Sequence, residues 1–186
     1  MTSMIPQRVE AYRDVWSTVP GQVGLPDPYL VAAIGDRESL WGEALTPPGP
    51  TGTGDGGHGR GLLQVDDRAW PAWCAERDSY GDLLWQNPTE NVRQGCRVLM
   101  TAWMFFLNWP ATIAAYNCGR GRVQAVLTQA GRVVGPTDGD VDLLHILDFH
   151  TTGHDYVTDV VDRWARYKGL EGPIHFYTGG LYAVAS

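Results

Sequence analysis

The stretch "AAIGDRESLWG", residues 32–42, places a carboxylate where a buried helix face would ordinarily carry an apolar side chain. Val31, Ile34 and Glu38 follow one another at i, i+3 and i+7, so they lie on one face of an α-helix. Burying a charged group on such a face costs free energy, so the group is expected to have an ionic partner or a chemical function. The pattern therefore predicts a helix over residues 28–41 with Glu38 near its end.

A start signal for this helix precedes the quoted stretch. Asp27 is placed to cap free backbone N–H groups, and Pro28 fits the first helical position. Two explanations of the glutamate remain open from these residues. Glu38 forms an ion pair with an arginine, Arg37 and Arg60 being nearest in sequence, or a half-apolar site beside a cleft raises its proton affinity.

The composition is that of an ordinary globular protein and excludes several partners. A chain of 186 residues with 44% hydrophobic and 19% charged residues fits a single domain over residues 1–186. A net charge of −7 without a basic run argues against nucleic acid as a partner. The chain contains neither an apolar stretch of membrane-spanning length nor the pattern of a secretory signal peptide. We therefore expect a monomer without a membrane partner, which stays in the cytoplasm until something else releases it.

The cysteines and tryptophans indicate core packing. Cys74, Cys96 and Cys118 are an odd number without a paired C-x-x-C spacing, which argues against a zinc site and against a complete disulfide framework. We expect them to be small core residues with reduced thiols. The eight tryptophans suit both cores and sugar-binding clefts, and core packing is the expectation for each.

Helical patterns separated by one long irregular region predict a mostly α fold (α+β). The predicted helices cover residues 7–17, 28–41, 88–107, 109–117, 119–131 and 153–168, with Thr152 as the cap of the last one. Residues 42–61 are too rich in Gly and Pro for a helix and are predicted to form a loop, followed by a short strand at "LLQV", residues 62–65. A small β-hairpin beside the helix that carries Glu38 is therefore expected. The apolar tail from Pro173 to Ser186 is expected to pack irregularly.

The Gly-rich loop resembles two other kinds of site without fitting either. "GTGDGG", residues 52–57, matches the dinucleotide pattern G-x-G-x-x-G but lacks the preceding strand and following helix. Asp55 and Asp66 lack the ligand spacing of a calcium-binding EF-hand loop, and His58 alone makes no metal site. We therefore expect neither a metal nor an organic cofactor.

The carboxylates that remain suit the hydrolysis of a glycosidic bond. That reaction needs an acid to protonate the leaving oxygen and, for inversion, a carboxylate that activates water on the opposite face of the sugar. Glu38 in a partly apolar setting fits the acid, while Asp55 and Asp66 in a solvated loop fit the carboxylates that position water.

Four stretches resemble the goose-type lysozymes, which are relatives of the soluble lytic transglycosylases. They are, in chain order, "RESLWG", "GDGGHGRGLLQVD", "AAYNCGRGRV" and "HDYVTDVVDRWARYK", and the resemblance covers roughly residues 28–168. The resemblance implies a lysozyme-like fold and cleavage of the β-1,4 bond between N-acetylmuramic acid and N-acetylglucosamine in peptidoglycan, without a metal or organic cofactor. It also makes the glycan strands of bacterial peptidoglycan the expected partner.

The resemblance assigns roles position by position. Glu38 matches the general acid, and Asp55 and Asp66 match the two aspartates that position and activate water. The positions that match residues of the sugar cleft are Gln64, Tyr116 and Asn117. Core packing is an equally good explanation of Tyr116, and a cap or a cleft hydrogen bond explains Asn117. We also place His58, in the Gly-rich loop, with the substrate-binding residues.

Several departures from the family bear on source and mechanism. Trp41 stands where many relatives have a small residue, and residues 46–54 carry "TPPGPTGTG", so sugar subsites there are expected to be reshaped. The cysteines do not reproduce the disulfides of secreted animal members, and Lys168 is the single lysine among 14 basic residues, a bias typical of GC-rich genomes. Together these features favour a bacteriophage lysin or a virion-associated wall-degrading protein. A lytic transglycosylase that forms 1,6-anhydromuramic products and a non-catalytic wall-binding virion module remain the alternatives.

Overall fold

The chain is mostly α-helical with small antiparallel sheets, as the sequence predicts, and its residues group into two units. The structure, a computed structural model, describes residues 4–183. The first unit extends to Arg97 and the second begins at Val98, a boundary that falls inside the long helix α5 (Pro88–Phe106).

The first unit combines helices with a three-stranded antiparallel sheet. Its helices are α1 (Gln7–Glu10), α2 (Arg13–Gln22), α3 (Pro28–Ser39), α4 (Pro71–Ala75) and the first part of α5. Its strands are β1 (Thr53–Gly54), β2 (Gly59–Arg60) and β3 (Val65–Asp66), in the order β1-β2-β3. Gly59 pairs with Gly54 on one side and with Asp66 on the other, so the middle strand joins the two segments that carry the predicted aspartates.

Helix α3 begins as its sequence predicts and ends two residues earlier. Asp27 Oδ1 accepts a hydrogen bond from Tyr29 N at 3.1 Å, which confirms the predicted cap. Leu40 adopts a left-handed conformation with φ of 49°, and this terminates the helix at Ser39. Val31 and Ile34 are completely buried, as their spacing predicts.

Trp41, directly after this helix, is a core residue. Its indole Nε1 donates to Ala32 O at 3.0 Å, and its ring stacks on Tyr12 with centroids 5.4 Å apart. The ring also packs on Gly35, where an added Cβ would lie 2.6 Å from it. Because Trp41 is 2% exposed, it packs in the core, and the reshaping of sugar subsites in this region stays a prediction.

Two other local predictions in this unit need correction. The helix predicted over residues 7–17 is divided at Tyr12 into α1 and α2, and α2 continues to Gln22. The strand predicted at residues 62–65 is also displaced. Residues before Val65 form a turn that includes Gln64 in a left-handed conformation with φ of 47°, and the strand itself is Val65–Asp66. The leucines of "LLQV" favour a strand in the sequence, but Leu62 and Leu63 are buried within a turn.

The second unit surrounds a helix that is buried over most of its length. Besides the end of α5, it contains α6 (Trp109–Cys118), α7 (Arg120–Gln129), α8 (Val141–Asp148), α9 (Tyr156–Tyr167), β4 (Ile174–Tyr177) and β5 (Gly180–Ala183). Helix α6 packs against α7, α8 and α9. Asn108 caps it by accepting from Ala111 N at 2.9 Å, and its amide group donates to Gly135 O and Asp138 O at 2.7 and 2.8 Å.

The cap of α9 comes from a residue that the sequence analysis did not identify. The buried Asp148, at the end of α8, accepts from Val157 N at 2.6 Å and from Thr158 N at 3.1 Å. Thr152, the predicted cap, instead begins a short 3-10 turn before the helix. A carboxylate from the preceding helix satisfies the free N–H groups of α9, so the local capping pattern was misleading.

The C-terminal segment is a β-hairpin and not the irregular tail expected. Strands β4 and β5 pair in antiparallel fashion, with Tyr177 opposite Gly180. Phe176 and Leu181 are buried, and Trp109 Nε1 donates to Tyr177 O at 2.9 Å. Residues 184–186 of the predicted tail lie outside the described residues.

Burial confirms most of the core predictions. Trp16, Trp41, Trp73, Trp85, Trp109 and Trp164 are all buried. Cys74 and Cys96 are buried thiols, and burial raises the pKa of Cys96 to about 12. In the part of the chain described, we find no helix with the length and apolar character needed to cross a bilayer.

Candidate active site

Asp55 lies in the Gly-rich loop, where the backbone is left-handed. Asp55, Gly56 and Gly57 have φ angles of 47°, 62° and 95°, so three consecutive residues are left-handed. Glycine adopts this conformation without steric cost, and aspartate tolerates it better than most residues. The loop therefore turns sharply just after β1, and the Asp55 side chain, 66% exposed, lies at the turn.

Gln64 is held in the space that two glycines leave free. Its Nε2 donates to Gly61 O at 2.7 Å. A Cβ atom added at Gly54 or at Gly59 would lie 2.2 Å from Gln64 Oε1, so no larger residue fits at either position without displacing this amide. Gly54 and Gly59 therefore leave room for a side chain that is predicted to contact sugar.

The end of the Glu38 helix is joined to this loop by the next residue in the chain. Ser39 Oγ donates to Leu62 O at 2.6 Å and accepts from Gly42 N at 3.0 Å. Leu62 lies two residues before Gln64, so the hydrogen bond fixes the last turn of α3 against the segment that leads into β3. Glu38 itself is half-buried in this last turn. The arginine proposed as one possible partner, Arg60, forms its ion pair with Asp67 instead.

Arg68 brings the two predicted aspartates together. Its Nη2 donates to Asp55 Oδ2 at 2.6 Å and to Asp66 Oδ2 at 2.8 Å, and its Nε donates to Asp66 Oδ1 at 2.9 Å. The hydrogen bond from the Arg68 side chain is the main reason that the pKa of Asp66 lies below its ordinary value. The same contacts raise the pKa of Arg68. Asp66 is therefore ionised, as its predicted role requires.

His58 lies in a second polar network beside the first. Its Nδ1 is 2.9 Å from Asp67 Oδ1, and Arg60 Nη2 donates to Asp67 Oδ2 at 2.5 Å. Hydrogen bonds from His58 and Arg60 hold the pKa of Asp67 below its ordinary value. The His58 side chain is 49% exposed, so it remains accessible to a substrate from this position.

Five of the seven predicted site residues lie in the first unit, and the other two lie in the second. Tyr116 and Asn117 are half-buried near the end of α6. Asn117 Oδ1 accepts from Thr152 N at 2.9 Å and so holds the turn before α9. The hydrogen-bonding explanation of Asn117 is thereby supported, while a sugar contact for either residue stays a prediction.

Three residues important for this arrangement were missed from the sequence. Arg68, Ser39 and the fully buried Asn91 connect segments of the site, and Asn91 does so by bonding Leu63 N at 2.9 Å and Arg60 O at 2.8 Å. The "DDR" run at residues 66–68 predicts the local bond from Arg68 N to Asp66 Oδ1, but it does not predict the contact with Asp55. Within residues 4–183, no three His, Cys, Asp or Glu side chains group in a way that could hold a metal ion.

Comparisons with known proteins identify the family of this chain. The family model described as the transglycosylase SLT domain matches residues 23–134, which is more than half of the chain. A lysozyme g from Epinephelus coioides is 30% identical, with 89% of this chain and 78% of the relative covered. A lysozyme G from Dromaius novaehollandiae is 29% identical, with 89% and 72% covered. The chain belongs to the family that unites transglycosylase SLT domains and g-type lysozymes.

A solved structure supports the fold independently. The 70 kDa soluble lytic transglycosylase from Escherichia coli superposes with a TM-score of 0.64 at 23% sequence identity. The match covers 85% of this chain and 24% of the other, so the chain spans about a quarter of that protein. The likeness shows that the fold is lysozyme-like.

Proposed function

We propose that this protein cleaves the β-1,4 bond between N-acetylmuramic acid and N-acetylglucosamine in peptidoglycan. One observation carries the proposal: the hydrogen bond from Ser39 to Leu62 joins the helix end that bears Glu38 to the segment that bears Gln64 and leads to Asp66. An acid on a stiff helix and carboxylates on a loop joined to that helix are the arrangement that glycoside hydrolysis requires. Membership of the family supports the same chemistry.

In this proposal Glu38 protonates the glycosidic oxygen as the bond breaks. Asp55 and Asp66 accept hydrogen bonds from a water molecule on the opposite face of the sugar and remove its proton as it attacks the anomeric carbon. The products are a free muramic acid reducing end, formed with inversion, and a glucosamine hydroxyl. Gln64 and His58 contact the sugar from the loop, and Tyr116 and Asn117 of α6 are proposed as further sugar-binding residues.

A lytic transglycosylase is the second candidate, and the match to the SLT domain model favours it. In that reaction one glutamate serves as acid and then as base, and the muramyl 6-hydroxyl replaces water, so no pair of aspartates is needed to activate water. The pair that Arg68 joins favours hydrolysis over this route. A wall-binding module without turnover is the third possibility, and the assay below distinguishes it.

The test is digestion of purified peptidoglycan by the wild-type protein and two matched variants. Glu38→Gln keeps the shape of the side chain but cannot deliver a proton, so turnover should fall at least about a hundredfold while the circular dichroism spectrum is unchanged. Glu43→Gln makes the same chemical change at an exposed position five residues further on and should retain full activity. Near-normal turnover in Glu38→Gln would remove Glu38 from the role, and wild-type protein that binds the wall without cleaving it would contradict the enzyme assignment.

We further propose that the protein acts as a bacteriophage lysin or virion-associated enzyme, as a monomer. The bias toward arginine, with Lys168 as the single lysine, and the difference in cysteines from secreted animal relatives support this source. Sedimentation of the purified protein tests the monomer: a single species near 20.5 kDa is expected, and a stable dimer would contradict it.

A further inference from the structure

Arg68 joins two carboxylates that belong to different segments of the chain. Asp55 lies in the left-handed turn after β1, and Asp66 is the last residue of β3. The guanidinium contacts both, through Nη2 to Asp55 Oδ2 and through Nε and Nη2 to Asp66. The backbone N–H of Arg68 also donates to Asp66 Oδ1 at 2.8 Å, so the arginine is itself fixed in place by one of its partners.

The exposure of this bridge argues against a role in fold stability. The side chains of Arg68, Asp55 and Asp66 are 55%, 66% and 39% exposed. Ion pairs between such exposed groups contribute little to the free energy of unfolding, because water and salt screen them. What the bridge does provide is a fixed position for the Asp55 carboxylate, which sits on a loop that several glycines would otherwise leave free to move.

Neighbouring charges do not compete for Arg68. Asp67, the residue between Asp66 and Arg68, directs its carboxylate to His58 and Arg60. Two adjacent acids thus have separate cationic partners, and the guanidinium of Arg68 serves Asp55 and Asp66. Without a cation between them, two close carboxylates would disfavour each other's ionisation.

We propose that Arg68 is a positioning residue: it holds the carboxylates of Asp55 and Asp66 side by side, so that their remaining oxygen lone pairs bind the attacking water. The inference rests on the proposed hydrolytic function. It assigns no contact between Arg68 and the sugar, since the Nε and Nη2 groups of the guanidinium bind the two aspartates.

This role has a consequence for the pH dependence of cleavage. The pKa of Asp66 is lowered chiefly by the hydrogen bond from Arg68, with a smaller contribution from the charge of His58. The other charged groups in its surroundings are Asp55, which shares the Arg68 guanidinium, and Asp67, which is bonded to His58 and Arg60. Removal of the Arg68 guanidinium should raise the pKa of Asp66, so this carboxylate becomes protonated at a higher pH. Activity should then be lost first on the acidic side.

The test compares Arg68→Met and Arg68→Lys with Arg132→Met as a matched control. Arg132 also pairs with a largely exposed aspartate, Asp140, at 2.6 Å, but in the second unit. The carboxyl groups are titrated by ¹³C NMR, and kcat/KM on soluble peptidoglycan fragments is measured from pH 4 to pH 9. In Arg68→Met the titration of Asp66 should move to higher pH, and the activity lost at pH 4 should exceed that lost at pH 7 by about twofold, because an ordinary aspartic acid is about half protonated at pH 4.

Arg68→Lys should fall between wild type and Arg68→Met, because lysine keeps the charge but not the planar fork that reaches both carboxylates. Arg132→Met should match wild type throughout. Two results would overturn the positioning role: activity of Arg68→Met that falls by the same factor at every pH, or an Asp66 titration that is unchanged in this variant. Neither result would contradict the proposed function as long as the wild-type protein cleaves the glycan. If the wild-type protein cleaves no glycan, the proposed function fails, and the positioning role fails with it.

Discussion

At the scale of single residues, the site depends on pairs that are distant in sequence. The chemistry of glycoside cleavage and the family resemblance were enough to identify Glu38, Asp55 and Asp66 as candidates. Arg68 was not identified, because its bond to Asp55 spans 13 residues and passes across the sheet. A local pattern carries no information about which loop a guanidinium will reach. The glycines at positions 54 and 59 are a similar case, since their purpose is visible only once Gln64 is seen between them.

The two aspartates should act on one water molecule, and substitution can test this. Asp66→Asn should lower kcat at least about tenfold with a smaller effect on KM, because asparagine keeps the shape but cannot take up a proton. If Asp55 holds the same water, the double substitution to asparagine should cost less than the sum of the two single effects on the activation free energy.

Asp82→Asn, at an exposed position of the same unit, is the control for loss of one negative charge and should retain activity. The losses are measured as kcat and KM on defined muropeptide oligomers. Strict additivity of the Asp55 and Asp66 effects would mean that the two carboxylates act on different groups.

At the scale of elements, the sequence predicted the helices whose start and buried face are marked by residues close together in the chain. Helix α3 followed from Asp27, Pro28 and the apolar face, and α9 lies within the helix predicted over residues 153–168. Helix α8 and the C-terminal hairpin were missed. The cap of α9 was missed because Asp148 belongs to another element. The hairpin was missed because the alternation of buried Phe176 with exposed neighbours covers too few residues to predict a strand.

Helix α5 should owe its attachment to the sheet largely to one amide. Asn91 bonds Leu63 N and Arg60 O through its two side-chain polar atoms and is completely buried, so Asn91→Ala would remove both of these buried hydrogen bonds. We expect a loss of about 2 to 4 kcal/mol in the free energy of unfolding.

Asn87 on the same helix offers the comparison. It is exposed and caps α5 by accepting from Thr89 N at 2.9 Å, so Asn87→Ala should cost about 1 kcal/mol. Urea unfolding followed by tryptophan fluorescence measures both variants. Equal costs for the two substitutions would show that burial of the Asn91 amide is not the deciding factor.

At the scale of the whole molecule, charge and chemistry point to recognition through specific contacts. The net charge is −7, so attraction to an anionic cell wall cannot come from bulk charge. Binding must instead rest on side chains that contact the sugars. The candidates are distributed over both units, with Glu38 and the loop residues in the first and Tyr116 and Asn117 in the second. The fold class could be predicted because buried helix faces repeat along the chain, whereas the division into two units has no local signal.

The most direct test of the proposed reaction is the origin of the oxygen at the new chain end. Peptidoglycan is digested with the wild-type protein in water enriched in ¹⁸O, and the products are analysed by mass spectrometry and NMR. If Asp55 and Asp66 activate water while Glu38 donates the proton, each new muramic acid reducing end carries one ¹⁸O atom and appears first as the α-anomer. Products dominated by 1,6-anhydromuramic acid without ¹⁸O would contradict the hydrolytic mechanism and make this protein a lytic transglycosylase.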